Sequence, residues 1–180
     1  ITRTFTATDD CGNATTDSQT ITIIDTTAPT FLIIPADYTA ECSDEHPMDT
    51  AAAVDNCGEV TISVEEVTTA GACAGDYVIT RTFTATDDCG NATTDTQTIT
   101  IVDTTAPVLT IPADYTAECS DEHPMDEASA TDNCGEVTIS VEEVTTAGAC
   151  AGDYVITRTF TATDDCGNAT TDSQTITIID

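Results

Sequence analysis

The sequence predicts an all-β chain, a tandem array of small antiparallel sandwiches stapled by disulfides. Three observations carry this. Apolar and polar residues alternate at period two, the pattern of half-buried strands: Tyr77, Ile79, Arg81, Phe83 and Ala85 share one face, and Val78, Thr80, Thr82, Thr84 and Thr86 the other. The segment ITRTFTATDDCGNATTD begins at Ile1, again at Ile79 and again at Ile156, at offsets of 78 and 77 residues, and such a period signals a repeat architecture. The nine cysteines lie among small and acidic residues (AECSDE, DNCGE, GACAG, DDCGN), with no CxxC pair and no histidine at zinc-ligand spacing. Disulfides formed in an oxidising compartment fit that better than a metal site.

Along one repeat, strands are expected at 31–41, 50–55, 59–67, 77–87 and 94–102, with one more near 68–72. DDCGNATTD supplies the Asp, Gly and Asn of a hairpin turn between the last two. IIDTTAP at 23–29 and IVDTTAP at 101–107 read as a strand end followed by a short stiff linker. The domains are therefore expected at 26–103 and 104–180, with 1–25 as the last two strands of a preceding repeat. Strands of this number and length in fewer than 80 residues suggest a sandwich of the immunoglobulin type. A core this small buries too little surface to be secure alone. It has no tryptophan, and the four cysteines per repeat are the compensation.

Charge narrows the function. There are 33 Asp plus Glu against 3 Lys plus Arg, a formal net charge of -30. Such a surface repels phosphate backbones and anionic headgroups, so nucleic-acid and membrane-surface binding are excluded. No apolar run reaches the roughly 18 to 20 residues of a membrane helix. Catalysis has no support. Glu65-Glu66 and Glu142-Glu143 are neighbours that a strand points to opposite faces, and the GAC segments lack a histidine arrangement that would activate a nucleophile.

The residues TRTFTATDDCGN, TDNCG and DTTAP resemble hyalin-repeat-like modules of bacterial secreted surface and adhesin proteins, in their four-cysteine version. The likeness runs through all three copies. It implies an immunoglobulin-like sandwich, an extracellular or cell-surface location and a tandem arrangement, and it carries no catalytic residues.

In such a sandwich the DNCG and DDCGN loops lie at the same end as the incoming linker. Asp25, Asp55, Asn56, Asp87 and Asp88 should then converge at one junction, and Asp103, Asp132, Asn133, Asp164 and Asp165 at the next. Clustered carboxylate and amide oxygens suit Ca²⁺, which takes six to eight oxygen ligands. Asp44, Glu45 and Asp49, at the opposite end, are placed to reach the following linker. Cys57 and Cys89 fall at the linker end of their repeat, and Cys42 and Cys73 at the other. Bridged Cα atoms must lie within about 7 Å, so the expected pairs are Cys57–Cys89, Cys42–Cys73, Cys134–Cys166 and Cys119–Cys150, leaving Cys11 unpaired. Asn91 and Asn168 begin N-A-T glycosylation triplets. Thr26, Thr104 and Thr50 sit in D-T-x triplets similar to the O-glycosylation signal of the bacterial group just named.

These readings converge on an extracellular structural and adhesive repeat array. It would form a rod or filament from copies of itself, stiffened by disulfides and calcium, with surface glycans as a further partner. The alternatives are a passive stalk that presents a separate ligand-binding tip, or a carbohydrate-binding module. The latter would use exposed aromatic platforms, for which only Tyr38, Tyr77 and their copies are at hand.

Overall fold

The structure, a computed structural model, describes all 180 residues. It contains fourteen strands: β1 (Thr2–Thr8), β2 (Ala14–Thr20), β3 (Thr30–Ile33), β4 (Tyr38–Glu41), β5 (Ala52–Val54), β6 (Val60–Ala70), β7 (Tyr77–Asp87), β8 (Ala92–Val102), β9 (Val108–Thr110), β10 (Tyr115–Glu118), β11 (Ser129–Thr131), β12 (Val137–Ala147), β13 (Tyr154–Asp164) and β14 (Ala169–Ile179). The fold is all-β and immunoglobulin-like, and no helix is long and apolar enough to cross a membrane. The chain divides into two compact units, one of residues 1–34, 50–64 and 83–95, the other of 35–49, 65–82 and 96–180. Strands β6, β7 and β8 each contribute residues to both.

In the first unit, β1 and β2 form an antiparallel hairpin from Thr2 opposite Thr20 to Thr8 opposite Ala14. Its turn is closed by Asp9, whose Oδ1 accepts the N–H groups of Cys11 and Asn13 at 3.0 and 2.7 Å. Gly12 takes φ +87° there, a conformation open to glycine at no steric cost. β3 pairs antiparallel with β5. Phe5 on β1 is 59% exposed, whereas Phe83, its counterpart one repeat later, is 0% exposed. Over β1 and β2 the two hairpins differ only in Ser18 against Thr96, so the difference lies in what covers them. Burying Phe5 takes the remaining strands of a sandwich, because a lone hairpin has no second layer.

In the second unit, a four-stranded sheet runs β10–β14–β13–β12, and β11 and β9 form a separate two-stranded sheet. β12 and β13 match from Val137 opposite Asp164 to Ala147 opposite Tyr154. Two apolar clusters fill it. Ile156, Ile176 and Ile178 pack with Tyr115, Ala117 and Tyr154, and Ile79, Ile99 and Ile101 pack with Tyr38, Ala40, Cys42 and Tyr77. The face containing Ile79, Arg81, Phe83 and Ala85 is the buried one, as the period-two pattern requires.

One expected element differs. Residues 31–41 are two strands, β3 and β4, separated around Pro35. Proline has no N–H for a ladder and restricts the residue before it, and the chain changes sheets at this point. β3 joins β5, while β4 runs parallel beside the end of β8, with Tyr38 opposite Ile99 and Glu41 opposite Val102. β10 repeats this beside β14. The four-stranded sheet β4–β8–β7–β6 and its counterpart β10–β14–β13–β12 thus each carry one parallel pair. The expected strands at 59–67 and near 68–72 are continuous as β6.

Two of the three arginines are inside. Arg81 is 2% exposed and Arg158 6%. Arg81 Nε donates to Glu66 at 2.9 Å, Nη1 to the Pro47 carbonyl at 2.9 Å and to Gln97 Oε1 at 3.4 Å, and Nη2 to the His46 carbonyl at 3.1 Å. Arg158 makes a similar set with Glu143 and Gln174, but binds a single loop carbonyl, that of Asp126. Its guanidinium also lies 4.9 Å from the Phe160 ring centroid, within cation–π range. The arginine therefore pins the SDEHPMD loop, which has no ladder of its own, to the sheet. Replacing Arg81 with alanine strips partners from two backbone carbonyls and from Glu66, so the chain should lose on the order of 3 kcal/mol. Arg81→Lys should not restore it, since one ammonium cannot serve that fork of acceptors. Urea melts of the two variants beside the parent check both outcomes.

Candidate junction site

The linker leaving β8 brings Asp103 into a buried position at 6% exposure. Its N–H donates to Asp76 Oδ1 at 3.1 Å, and its Oδ1 accepts the Thr105 N–H at 3.1 Å. Gly75 makes room for it: a Cβ there would lie 2.6 Å from Asp103 Cβ. The next residue is held too, because Thr104 donates its N–H to Glu41 Oε2 at 3.1 Å and its hydroxyl to Glu41 Oε1. Those two bonds, the hydroxyl first, hold the Glu41 carboxyl below its ordinary pKa.

Two disulfides flank this linker. Cys42 is bonded to Cys134 with Cα atoms 6.0 Å apart, and Cys73 to Cys166 at 5.1 Å. The expected pairs Cys42–Cys73 and Cys134–Cys166 are therefore corrected. The assignment of cysteines to ends holds, since Cys42 and Cys73 share one end and Cys134 and Cys166 the other. The partners differ because the end of one repeat abuts the start of the next, and each cysteine finds its mate across that boundary, 92 or 93 residues away. Cys57, Cys89, Cys119 and Cys150, expected as Cys57–Cys89 and Cys119–Cys150, are exposed thiols, as is Cys11. Burial and then the carboxylates of Asp87, Asp25 and Asp88 push the Cys89 thiol up in pKa. Burial and Asp180 do the same for Cys119.

Carboxylates converge beside the disulfides. One oxygen each from Asp103, Asp132 and Asp164 lie within 4.8 Å of one another, and Asp25, Asp55 and Asp87 form the same group one repeat earlier. Asp132 Oδ2 accepts the Cys134 N–H at 2.9 Å, while Asp132 Oδ1 and Asp103 Oδ2 are buried without any hydrogen-bond partner. Asp55 Oδ1 is likewise unpartnered. Burial pushes the Asp103 carboxyl above its ordinary value. The Thr105 N–H opposes this, and the charges of Asp132, Asp164 and Glu41 reinforce it.

Asp164 and Asp87 have a second task in the hairpin turn. Asp87 accepts the Cys89 N–H, the Asn91 N–H and the Asn91 amide at 2.8, 2.9 and 2.7 Å, and the Asn91 amide is the main cause of its lowered pKa. At Asp164 burial pulls upward most strongly, but Asn168 and three backbone N–H groups outweigh it and leave the carboxyl below its ordinary value.

The other expected ligands are turned to different partners. Asn56 and Asn133 donate to the sulfurs of Cys57 and Cys134 at 3.0 and 2.9 Å. Asp88 accepts the Glu59 N–H at 3.4 Å, and Asp165 the Ala74 N–H at 3.0 Å. Asp44 is occupied by the Glu41 N–H at 3.1 Å. Thr26, Thr50 and Thr104 are exposed. Asn91 and Asn168 spend their amides on Asp87 and Asp164 and on the carbonyls of Asp25 and Asp103, and a glycan on that nitrogen would forfeit one of these bonds. Sequence reasoning missed Glu41, Gly75 and Asp76. Each recurs one repeat later, as Glu118, Gly152 and Asp153, but so does nearly every residue of the repeat, so the sequence carried no specific signal for them.

The junction defines the chain as a tandem β-sandwich repeat protein with covalent links between successive repeats. The family model of the HYR-like domain with 4 cysteines matches residues 107–178. No curated protein matches the chain. Among solved structures it is similar to Drosophila N-cadherin EC1-4, at 13% identity and TM-score 0.41, covering 86% of this chain and 50% of that one. The protocadherin GammaB4 extracellular domain matches at 18% identity and TM-score 0.36, covering 99% and 38%. Human mucin-like protocadherin EC1-2 matches at 8% identity and TM-score 0.35, covering 84% and 98%. The chain thus spans half or less of the first two.

Each bridge closes a loop of more than ninety residues, worth roughly 4 to 5 kcal/mol in the chain-entropy model. Non-reducing peptide mapping should recover Cys42 with Cys134 and Cys73 with Cys166, and reduction should lower the melting temperature. Recovery of Cys42 with Cys73 would show that the repeats are stapled internally instead.

Proposed function

We propose that this chain is part of an extracellular structural and adhesive repeat array, a rod or filament whose modules are 26–103 and 104–180. Its junctions are stiffened by paired disulfides and by calcium. The observation that carries this reading is the junction at Asp103, where two disulfides close around a buried carboxylate with an unpartnered oxygen. A protein that only displayed a site on each repeat would have no use for two covalent links between repeats. The tyrosines that a carbohydrate-binding module would expose are half-buried against the isoleucine clusters, which favours the array over that alternative. Glu66 and Glu143 serve as ion-pair partners of Arg81 and Arg158, a structural use of acids that otherwise invite a catalytic reading.

The residues at the junction fit a hard divalent cation. Asp103 Oδ2 and Asp132 Oδ1 are unpartnered and buried, and Asp164 completes the group. A buried carboxylate facing two others is costly, and with two of three arginines inside the sheets the protein has little positive charge of its own to offset it. Asp103, Asp132 and Asp164 would hold one Ca²⁺, and Asp25, Asp55 and Asp87 another. Thr26, exposed in the first linker, is the proposed O-glycan position; at Thr104 a glycan would forfeit the hydroxyl bond to Glu41.

The sign of the pH dependence follows from Asp103. Its pKa is raised in the folded chain, so the native state holds its proton more tightly than the unfolded one. The contribution is full below the ordinary value of 3.8 and is lost as pH rises through the raised value. Asp103→Asn, which keeps the oxygen for Thr105 but carries no charge, should therefore gain on the parent in chelator as pH climbs from about 4 to 7. In millimolar Ca²⁺ the order should reverse, because an ion that binds only the folded state stabilises by mass action. Melting curves across pH, with and without chelator, read this directly. If calcium moves neither chain, the carboxylates only shape turns.

A further inference from the structure

Four of the five free thiols form two pairs in register with the cysteines already bonded. Cys57 and Cys89 stand where Cys134 and Cys166 stand one repeat later, and Cys119 and Cys150 stand where Cys42 and Cys73 stand one repeat earlier. Both unbonded ends are already built like the bonded ones. At the start of a repeat, the Cys57 and Cys89 N–H groups donate to Asp55 and Asp87, each at 2.8 Å, and those of Cys134 and Cys166 donate to Asp132 and Asp164, each at 2.9 Å. At the end of a repeat, Cys119 N–H donates to the Ile179 carbonyl at 2.7 Å, as Cys42 does to Val102 at 3.0 Å. Asp180 N–H donates to Asp153 Oδ1 at 3.0 Å, as Asp103 does to Asp76 at 3.1 Å. Gly152 leaves the space for Asp180 that Gly75 leaves for Asp103.

The geometry points to a two-disulfide coupler at both ends of every repeat. The surface bearing Cys119, Cys150 and Asp180 takes the DNCG and DDCGN loops of a further copy of this repeat, and Cys57 and Cys89 take the cysteines of the copy that precedes them. This rests on the array reading and extends it: no repeat carries an internal disulfide, and each is bonded twice to either neighbour. The occupant is another copy of the repeat because one such copy, 104–180, already sits on the equivalent surface. There, Ala74 N–H also donates to Asp165 Oδ2, a contact that Ala151 would repeat with the next copy. Each bond needs an oxidant, and a small-molecule disulfide such as glutathione disulfide supplies it. One cysteine thiolate attacks it and releases a glutathione thiolate, and the partner cysteine then attacks the mixed disulfide and releases the second. Two cysteine thiols lose their protons and are oxidised to one disulfide, and one glutathione disulfide is reduced to two thiols.

The test is the 180-residue chain extended at its C-terminus by one further copy of residues 104–180, folded in a glutathione redox buffer. The 180-residue chain should titrate five thiols after denaturation without reduction. The extended chain should also titrate five. Peptide mapping should join Cys119 and Cys150 to the added copies of Cys134 and Cys166. Nine thiols, or a Cys119–Cys150 peptide, would overturn the coupler. The parent junction is the internal control. Cys42–Cys134 and Cys73–Cys166 formed beside an uncoupled added repeat would sink this inference and leave the array reading standing. If those two bonds are absent as well, the array reading itself fails. Cys119→Ser with Cys150→Ser in the extended chain should raise the titrated count from five to seven. No change in the count would show that these two cysteines make no cross-repeat bond.

Discussion

The junction turns on one constraint: a carboxylate is buried where two successive repeats meet. Asp103 is the residue through which the chain passes from one repeat to the next, and its backbone and side chain are both committed. Asp76 takes its N–H, Thr105 satisfies one oxygen and Gly75 leaves the space. The second oxygen has no hydrogen-bond partner, and the carboxylate lies beside those of Asp132 and Asp164. Like charges at this separation in a poorly hydrated site repel strongly, and left alone they would spread the loops apart. The two disulfides on either side prevent that. They hold closed a site whose electrostatics favour opening, and a bound cation would remove that conflict.

The same shortage of positive charge explains how the arginines are used. A chain with a net charge of -30 could be expected to spread its few cations over the surface, where exposed ion pairs contribute little. Instead Arg81 and Arg158 are sunk into the strand face, Arg81 satisfying two carbonyls and Arg158 one carbonyl of a loop that has no ladder of its own. A guanidinium suits this because its five donors have fixed directions. The consequence is a surface with almost no internal counter-charge, on which the carboxylates at the junctions must be balanced from solution.

Much of the fold was legible in the sequence because period two and the 78-residue repeat are local or one-dimensional signals. The face of Ile79, Arg81, Phe83 and Ala85 was read correctly, and so were the hairpin turns with their Asp, Gly and Asn. The split at Pro35 was marked by the proline itself, but nothing local says that the strand beyond it will run parallel to β8. Of the candidate site, the aspartates at 25, 55 and 87 and at 103, 132 and 164 follow from which loops share an end. Asn56, Asn133, Asp88 and Asp165 share that end too, but they bond sulfur or backbone, a choice made by rotamer and not by sequence. The cysteine pairing was the least legible. Two cysteines at each end satisfy an internal pairing and a cross-boundary pairing equally well, and the distance that decides between them belongs to the junction.

That choice of pairing changes what the disulfides do. An internal bridge would stabilise a thin core and leave each junction to a five-residue linker, so neighbours would fold and bend independently. In a linear repeat protein, stability is a sum of the intrinsic term for each unit and the term for each interface, and cross-boundary bridges move the covalent contribution into the interface term. A repeat then cannot unfold without straining both bonds to its neighbour, which raises cooperativity along the chain. Tension applied along the polypeptide at 103–107 is likewise shared with two sulfur bridges on separate strands' ends, Cys42 beside β4 and Cys73 after β6. For a proposed array whose task is to bear load between its ends, the interface is where failure would begin, and that is where these cysteines are spent.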